Sequence, residues 1–155
     1  MEQSYIYSIV QNYEADLQKV KQDGYNLKFV KQQTPEICLE AVNKNGYALY
    51  YVKEQTAELC LAAVKQDGCA LKWVNEQTPE ICLEAVKKFG AVLYYVKEQT
   101  AELCWAAVKE AGDALEYVKE QTPEICWASV KQNGGALYFV KDPILKEQIK
   151  VHFNL

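Results

Sequence analysis

Apolar positions return along this chain at a helical spacing inside a fixed 22-residue frame. In the stretch Thr34 to Gln55, TPEICLEAVNKNGYALYYVKEQ, the residues Ile37, Cys38, Leu39, Ala41 and Val42 cover an arc of about 200° at roughly 100° per residue. Glu36, Glu40, Asn43 and Lys44 fill the remainder. An arc that wide predicts a helix with neighbours on several sides. Thr34 stands where an N-cap hydroxyl can accept from first-turn amides. Pro35 follows at the position where a missing N–H is harmless, and Glu36 sets negative charge against the helix dipole. Gly46 is expected to end this helix as a left-handed C-cap. A second, shorter helix is predicted from about Tyr47 to Gln55. It would bury Ala48, Leu49, Val52 and Tyr51 and leave Tyr50, Lys53 and Glu54 on its polar side.

The frame repeats without insertion. Thr56 to Gln77 reads TAELCLAAVKQDGCALKWVNEQ, glycines fall at 24, 46, 68, 90, 112 and 134, and cysteines at 38, 60, 82, 104 and 126. Neither helix of a unit is long enough to be stable alone in water, so the units must bury their faces on one another. A leucine-rich repeat has a similar period but would need leucines alternating along a strand and an Asn ladder. The expected fold is all-α: an α-solenoid of about six 22-residue helical-hairpin repeats, with N- and C-terminal caps, forming one domain over residues 1–155. Within it, 1–11 reads as a degenerate half-repeat, a second helix alone, through Tyr5, Ile6, Tyr7, Ile9 and Val10. Repeats occupy 12–141, beginning with Asn12 as a cap, and 142–155 forms a terminal cap helix. Asp16 and Lys19 stand where later units have Cys and Ala, which turns that face of the first helix to water. Asp142-Pro143 opens the last helix, amphipathic through Ile144, Leu145, Ile149 and His152 or Phe153.

A second period lies inside the first. TPEIC at 34, 78 and 122 alternates with TAELC at 56 and 100. Lys28, Lys72 and Glu116 alternate with Tyr50, Tyr94 and Tyr138. The array is therefore a 44-residue double repeat whose odd and even rows present different surfaces.

Composition narrows the function. The formal net charge is −4 and all 17 basic residues are Lys. Without Arg, the bidentate contacts favoured by nucleic-acid and phosphate sites are missing. No segment approaches the apolar length of a membrane span, and MEQSYIYSIV lacks a signal-peptide core. A soluble cytoplasmic protein in a reducing compartment is expected. Five of the six cysteines share one place on the first helix. Stacked helices lie roughly 8–10 Å apart, whereas a disulfide needs Cα atoms within about 7 Å, so buried free thiols are expected. No metal-ligand spacing, nucleophile constellation or phosphate loop occurs. The single histidine, His152, reads as a cap residue, and the glutamates at 36, 58, 80, 102 and 124 read as dipole partners at helix starts. No enzyme activity, cofactor, metal or nucleic acid is expected.

The strings SVKQNGGALYFVK at 129–141, AVKQDGCALKWVNEQTPEIC and AVNKNGYALYYVKEQTAELC resemble a known repeat family. They look like the domain-of-unknown-function family forty-one-sixteen, repeats common in giant viruses of amoebae and in some algal and bacterial proteins. The likeness runs from about Asn12 to Lys141 and rests on an Ala-Val-Lys-x-Asn/Asp-Gly block followed at fixed offset by Ala-Leu-x-aromatic-Val. It implies a helical repeat scaffold with no catalytic residues.

Candidate contacts with a protein partner are Tyr50, Tyr94 and Tyr138, with Lys53, Lys97 and Lys141 beside them, because their position falls on the polar side of the second helix. Tyr suits binding surfaces, offering area and a hydroxyl at low entropic cost. Trp105 and Trp127 replace Leu39, Leu61 and Leu83 at one position and form a second candidate patch. Phe29, Tyr51, Trp73, Tyr95, Tyr117 and Phe139 share another and are expected to face the core. The function expected is a protein-binding scaffold, monomeric or weakly homo-oligomeric. The alternatives are a self-assembling structural protein and a consensus repeat built on the family without a natural role.

Overall fold

The computed structural model of the chain describes the backbone of residues 2–155 and the side chains of residue 7 and residues 10–155. Its contacts divide into two compact units, Met1–Glu76 and Gln77–Leu155. The first holds helices α1 (Glu2–Gln22), α2 (Pro35–Lys44) and α3 (Ala57–Gln66), each followed by a 3-10 helix: η1 (Gly24–Phe29), η2 (Gly46–Tyr51) and η3 (Gly68–Trp73). The second holds α4 (Pro79–Lys88), α5 (Ala101–Glu110) and α6 (Pro123–Gln132), with η4 (Gly90–Tyr95), η5 (Gly112–Tyr117) and η6 (Gly134–Phe139), and ends in α7 (Pro143–Phe153). Helices are the only regular elements among the described residues, joined by short extended segments, and the fold is an α-solenoid of 22-residue repeats.

Within each unit the α helices pack side by side as one layer and the 3-10 helices as a second. The core lies between the layers. From α2 come Ile37, Cys38, Ala41 and Val42; from the return segment come Ala48, Leu49 and Val52. The Thr starts behave as the residues dictate. Thr34 Oγ1 accepts from the Ile37 amide at 3.3 Å, and Thr56, Thr78, Thr100 and Thr122 repeat that bond.

The return segments differ from expectation in two ways. They are 3-10 rather than α, and they stop at Tyr51 and its equivalents, with Val52 already extended at φ −70°, ψ 122°. The cause is a spacing of three: Gly46, Leu49 and Val52 are all buried, and three residues per turn places them on one line. Ala48 and Tyr51 fall on one flank of that line and Tyr47 and Tyr50 on the other. The small Ala48 is buried on its flank, whereas Tyr51, the last residue of the segment, is only half-buried.

The glycines are also not left-handed caps. No glycine of the described residues has positive φ, and α2 ends instead at extended Asn45, whose side chain accepts from Tyr47 N. Gly46 is required by proximity: a Cβ there would lie 2.6 Å from the Ala63 carbonyl oxygen of the next repeat. Gly112 meets Ser129 O at 2.7 Å in the same way. Within each unit these contacts set the C-terminal end of one α helix beside that of the next, so its successive α helices run parallel and in register.

The two ends follow their own logic. α1 runs unbroken through Asn12, which is exposed in mid-helix and caps nothing. Gln11-Asn12 is followed by no Pro, and nothing before it supplies the Gly that turns a chain into a return segment. The side chains of Tyr5, Ile6 and Ile9 lie outside the described residues. Asp16 and Lys19 pair at 3.0 Å on a water-facing side of α1, and the Tyr13 hydroxyl donates to the Glu36 carboxylate of α2. At the other end Asp142 caps α7 by accepting from Ile144 N at 2.8 Å and Leu145 N at 3.1 Å. Ile149 is the fully buried anchor of α7, whereas Ile144 is 71% exposed.

Proximity rather than dihedral angle as the reason for glycine separates two substitutions. Gly46→Ala should destabilise by roughly 1–3 kcal/mol through overpacking against the Ala63 carbonyl. Gly134→Ala meets only the flexible tip of Leu155 at 3.3 Å, and should be neutral or stabilising by about 0.5 kcal/mol through the unfolded chain. Urea denaturation of the two variants measures both; equal losses would restore the left-handed cap.

Candidate interaction surface

Successive repeats are joined through backbone groups at the ends of the 3-10 helices. Where a 3-10 helix ends and the chain becomes extended, a carbonyl and an amide lack helical partners. The glutamine before each Thr supplies both. Gln33 Nε2 donates to Tyr51 O at 2.8 Å, and its Oε1 accepts from Lys53 N at 3.0 Å. Gln55 does the same for Trp73 O and Asn75 N. In the second unit Gln77 serves Tyr95 O and Lys97 N, Gln99 serves Tyr117 O and Lys119 N, and Gln121 serves Phe139 O and Lys141 N. The cysteines complete the arrangement: Cys38, Cys60, Cys82, Cys104 and Cys126 donate to the same glutamine oxygens at 3.5–3.8 Å. All six cysteines are free, and Cys69 alone is only half-buried. Burial pushes the five stacked thiols above their ordinary pKa; Lys53 and Lys97 oppose this at Cys38 and Cys82. At Cys69 burial acts first and the Asp67 carboxylate second, in the same direction.

The candidate lysines turn out to have structural work. Lys53 Nζ donates to Lys31 O of the preceding repeat at 2.8 Å. Lys119 Nζ reaches Lys97 O at 2.9 Å, and Lys141 Nζ reaches Val118 O at 2.8 Å. Lys97 contributes its amide to Gln77 and its carbonyl to Lys119.

The tyrosines stand free of that network as side chains. Tyr50, Tyr94 and Tyr138 are 57%, 68% and 79% exposed. Each leans its ring edge on the aromatic residue that follows it. Tyr50 meets Tyr51 at 5.0 Å and the next repeat's Trp73 at 4.4 Å. Tyr94 meets Tyr95 at 5.2 Å and the next repeat's Tyr117 at 5.7 Å. Tyr138 meets Phe139 at 5.4 Å, and Lys146 of α7 places Nζ 5.6 Å from the Tyr138 ring centre. The column expected in the core thus lies at the edge: Phe29 is 68% exposed, and Tyr51, Trp73, Tyr95, Tyr117 and Phe139 are half-buried. Together the two columns give each unit an aromatic margin, of which sequence reasoning found half. The fixed Gly-x-x-Leu-x-x-Val spacing was the signal for the rest.

The two tryptophans part company. Trp127 carries the rings of His152 at 4.9 Å and Phe153 at 5.7 Å, so α7 covers it. Trp105 lies half-buried in an open groove between α4 and α5, beside Leu83 and Ala106. At the start of α6, the Glu124 backbone amide and the Thr122 hydroxyl hold the Glu124 carboxyl below its ordinary value.

Stacked 22-residue α/3-10 units, closed by capping helices, define a helical repeat protein. The family model for Domain of unknown function (DUF4116) matches residues 17–56, 35–78 and 56–100, together more than half of the chain, and the chain belongs to this family. No curated protein and no solved structure matches it. Among the described residues no helix is long and apolar enough to cross a membrane.

Two measurements probe this construction. Gln99→Ala leaves the part-buried Tyr117 O without its partner and should cost about 1–3 kcal/mol, read as a lower urea midpoint, while water can replace the glutamine at the exposed Lys119 amide. Maleimide should modify Cys69 first and the five stacked thiols only as the chain opens. The Cys69 rate should still climb as pH passes 9.0, the ordinary thiol value, because its raised pKa keeps it protonated beyond that point.

Proposed function

We propose that the chain is a non-enzymatic scaffold that captures a protein partner on its aromatic margins. The observation that carries this reading is the exposure of Tyr50, Tyr94 and Tyr138 at one position of a repeated 3-10 helix. Each ring is braced by a neighbouring ring, so little side-chain freedom is lost on binding. Rigid aromatic anchors are the groups that dominate interface energetics. The acidic balance and the absence of Arg favour a protein surface over a nucleic acid. The thiols are held toward their protonated form, which disfavours their use as nucleophiles. Six unpaired thiols suit a reducing compartment, and we place the protein in the cytoplasm.

Replacing Tyr50, Tyr94 and Tyr138 together by Ser should remove partner capture and leave the far-ultraviolet helical signal unchanged. Immobilised wild type and variant would be compared for proteins retained from the source cell, with Val151→Ser as an exposed apolar control. Partners lost by the tyrosine variant and kept by the control support the margin; identical retention by all three removes it.

A further inference from the structure

The opposite face of the second unit carries a different pattern. In the outer surface of α4 and α5 lies an open groove of about 450 Å³ whose floor is Leu83, Trp105 and Ala106. Along the N-terminal margin stand the exposed carboxylates Glu80 and Glu102; along the C-terminal margin stand the exposed ammonium groups Lys87, Lys88 and Lys109. Glu110 is the single opposing charge on the basic side of these two helices, and Glu84, at mid-helix, lies 4.0 Å from Lys87. Because α4 and α5 are parallel and in register, the acidic and basic margins run as two rows with an apolar strip between them.

A surface built this way prefers a partner with the rows reversed. The face itself supplies one. If a second copy is turned onto the first about a two-fold axis running along the stack, its helices lie antiparallel to those beneath. Each acidic row then covers a basic row, helix dipoles oppose favourably, and the Leu83–Trp105 floor meets its own counterpart. Turning about an axis parallel to the helices would set Glu over Glu, which is repelled. Isologous pairing of a self-complementary patch is the commonest route to a dimer. We propose that the α4–α5 face pairs with a second copy of this chain, in that orientation, through Trp105 and the two charge rows.

Sedimentation velocity on the full chain from about 1 μM to about 1 mM covers the range of weak specific pairing. Wild type should pass from monomer to dimer within it. Two variants reverse one row each: Glu80→Lys with Glu102→Lys, and Lys87→Glu with Lys109→Glu. Either alone should remain monomeric, and an equimolar mixture should recover the dimer. Trp105→Leu, which restores the residue found at Leu39, Leu61 and Leu83, should fold normally and weaken pairing about tenfold. The tyrosine variant should dimerise as wild type does, which separates this face from the aromatic margin. Wild type that stays monomeric to the top of the series, row-reversed variants that dimerise alone, or a mixture that fails to pair would each overturn the proposal.

Discussion

A single amide side chain holds consecutive repeats in step. Each 3-10 helix is too short to satisfy its own last carbonyl and the amide beyond it, and leaving the part-buried carbonyl unpaired costs about 1–3 kcal/mol. Gln carries a donor and an acceptor on one rigid plane. Reaching forward 18 residues for a carbonyl and 20 for an amide, Gln33, Gln55, Gln77, Gln99 and Gln121 meet both needs at once. Glu could accept but not donate; Asn is a methylene shorter. The strict repeat length follows, since one inserted residue would pull the next repeat's backbone out of reach of the same amide. The thiol at Cys104, 3.7 Å from the Gln99 oxygen, then looks less like a generic small apolar residue than a third, weak hold on that amide.

How much of this could be read beforehand depends on whether a residue acts within its own unit. Thr34, Pro35 and Glu36 do, so helix starts and the period were plain. Gly46 and Gln33 act on the next repeat, so local rules misassign Gly46 as a left-handed cap and give Gln33 no role at all. The return segments were ambiguous because Ala48, Leu49 and Val52 suit either an α or a 3-10 period. Gly46 lying on the Leu49 line decides it, and a Gly is not scored as an apolar position. The aromatic margin was harder to read, since Tyr51 shares a flank with buried Ala48 but ends the segment and lies at the edge of the core. At Asn12 the reading failed for the opposite reason: a competent cap residue was present, but no chain break preceded it.

The alternation between odd and even rows has a local meaning at the margin. The position before each aromatic residue is filled by Lys, by Tyr or, at Glu116, by a carboxylate that pairs with the Tyr117 hydroxyl. Lys28 sets its ammonium 4.6 Å from the Phe29 ring centre, and Lys72 lies 4.8 Å from that of Trp73. Tyr50 and Tyr94 instead reach forward to the ring of the following repeat. A cation on a ring and a ring against a ring are of similar worth, about 0.5–1.5 kcal/mol. Stability therefore does not choose between them. Trp73 receives both, from Lys72 and from Tyr50, and its Nε1 is buried without an acceptor. That indole is held by its faces rather than by its polar edge.

Because the Lys and Tyr fillings are of similar worth to the stack, packing alone does not favour Tyr in alternate rows. The residues that stitch repeats together are committed: glutamine amides to backbone, thiols to glutamine oxygens, Lys53, Lys119 and Lys141 to carbonyls of the repeat before. A partner could not use those groups without loosening the array. The tyrosine rings make no hydrogen bond that holds the backbone, yet they are braced in position, which is the combination a recognition surface requires. The same reasoning separates Trp105 from Trp127. Both arise from the same Leu position, but α7 has already taken Trp127 as its seat, and the ring left open is the one flanked by two rows of opposite charge.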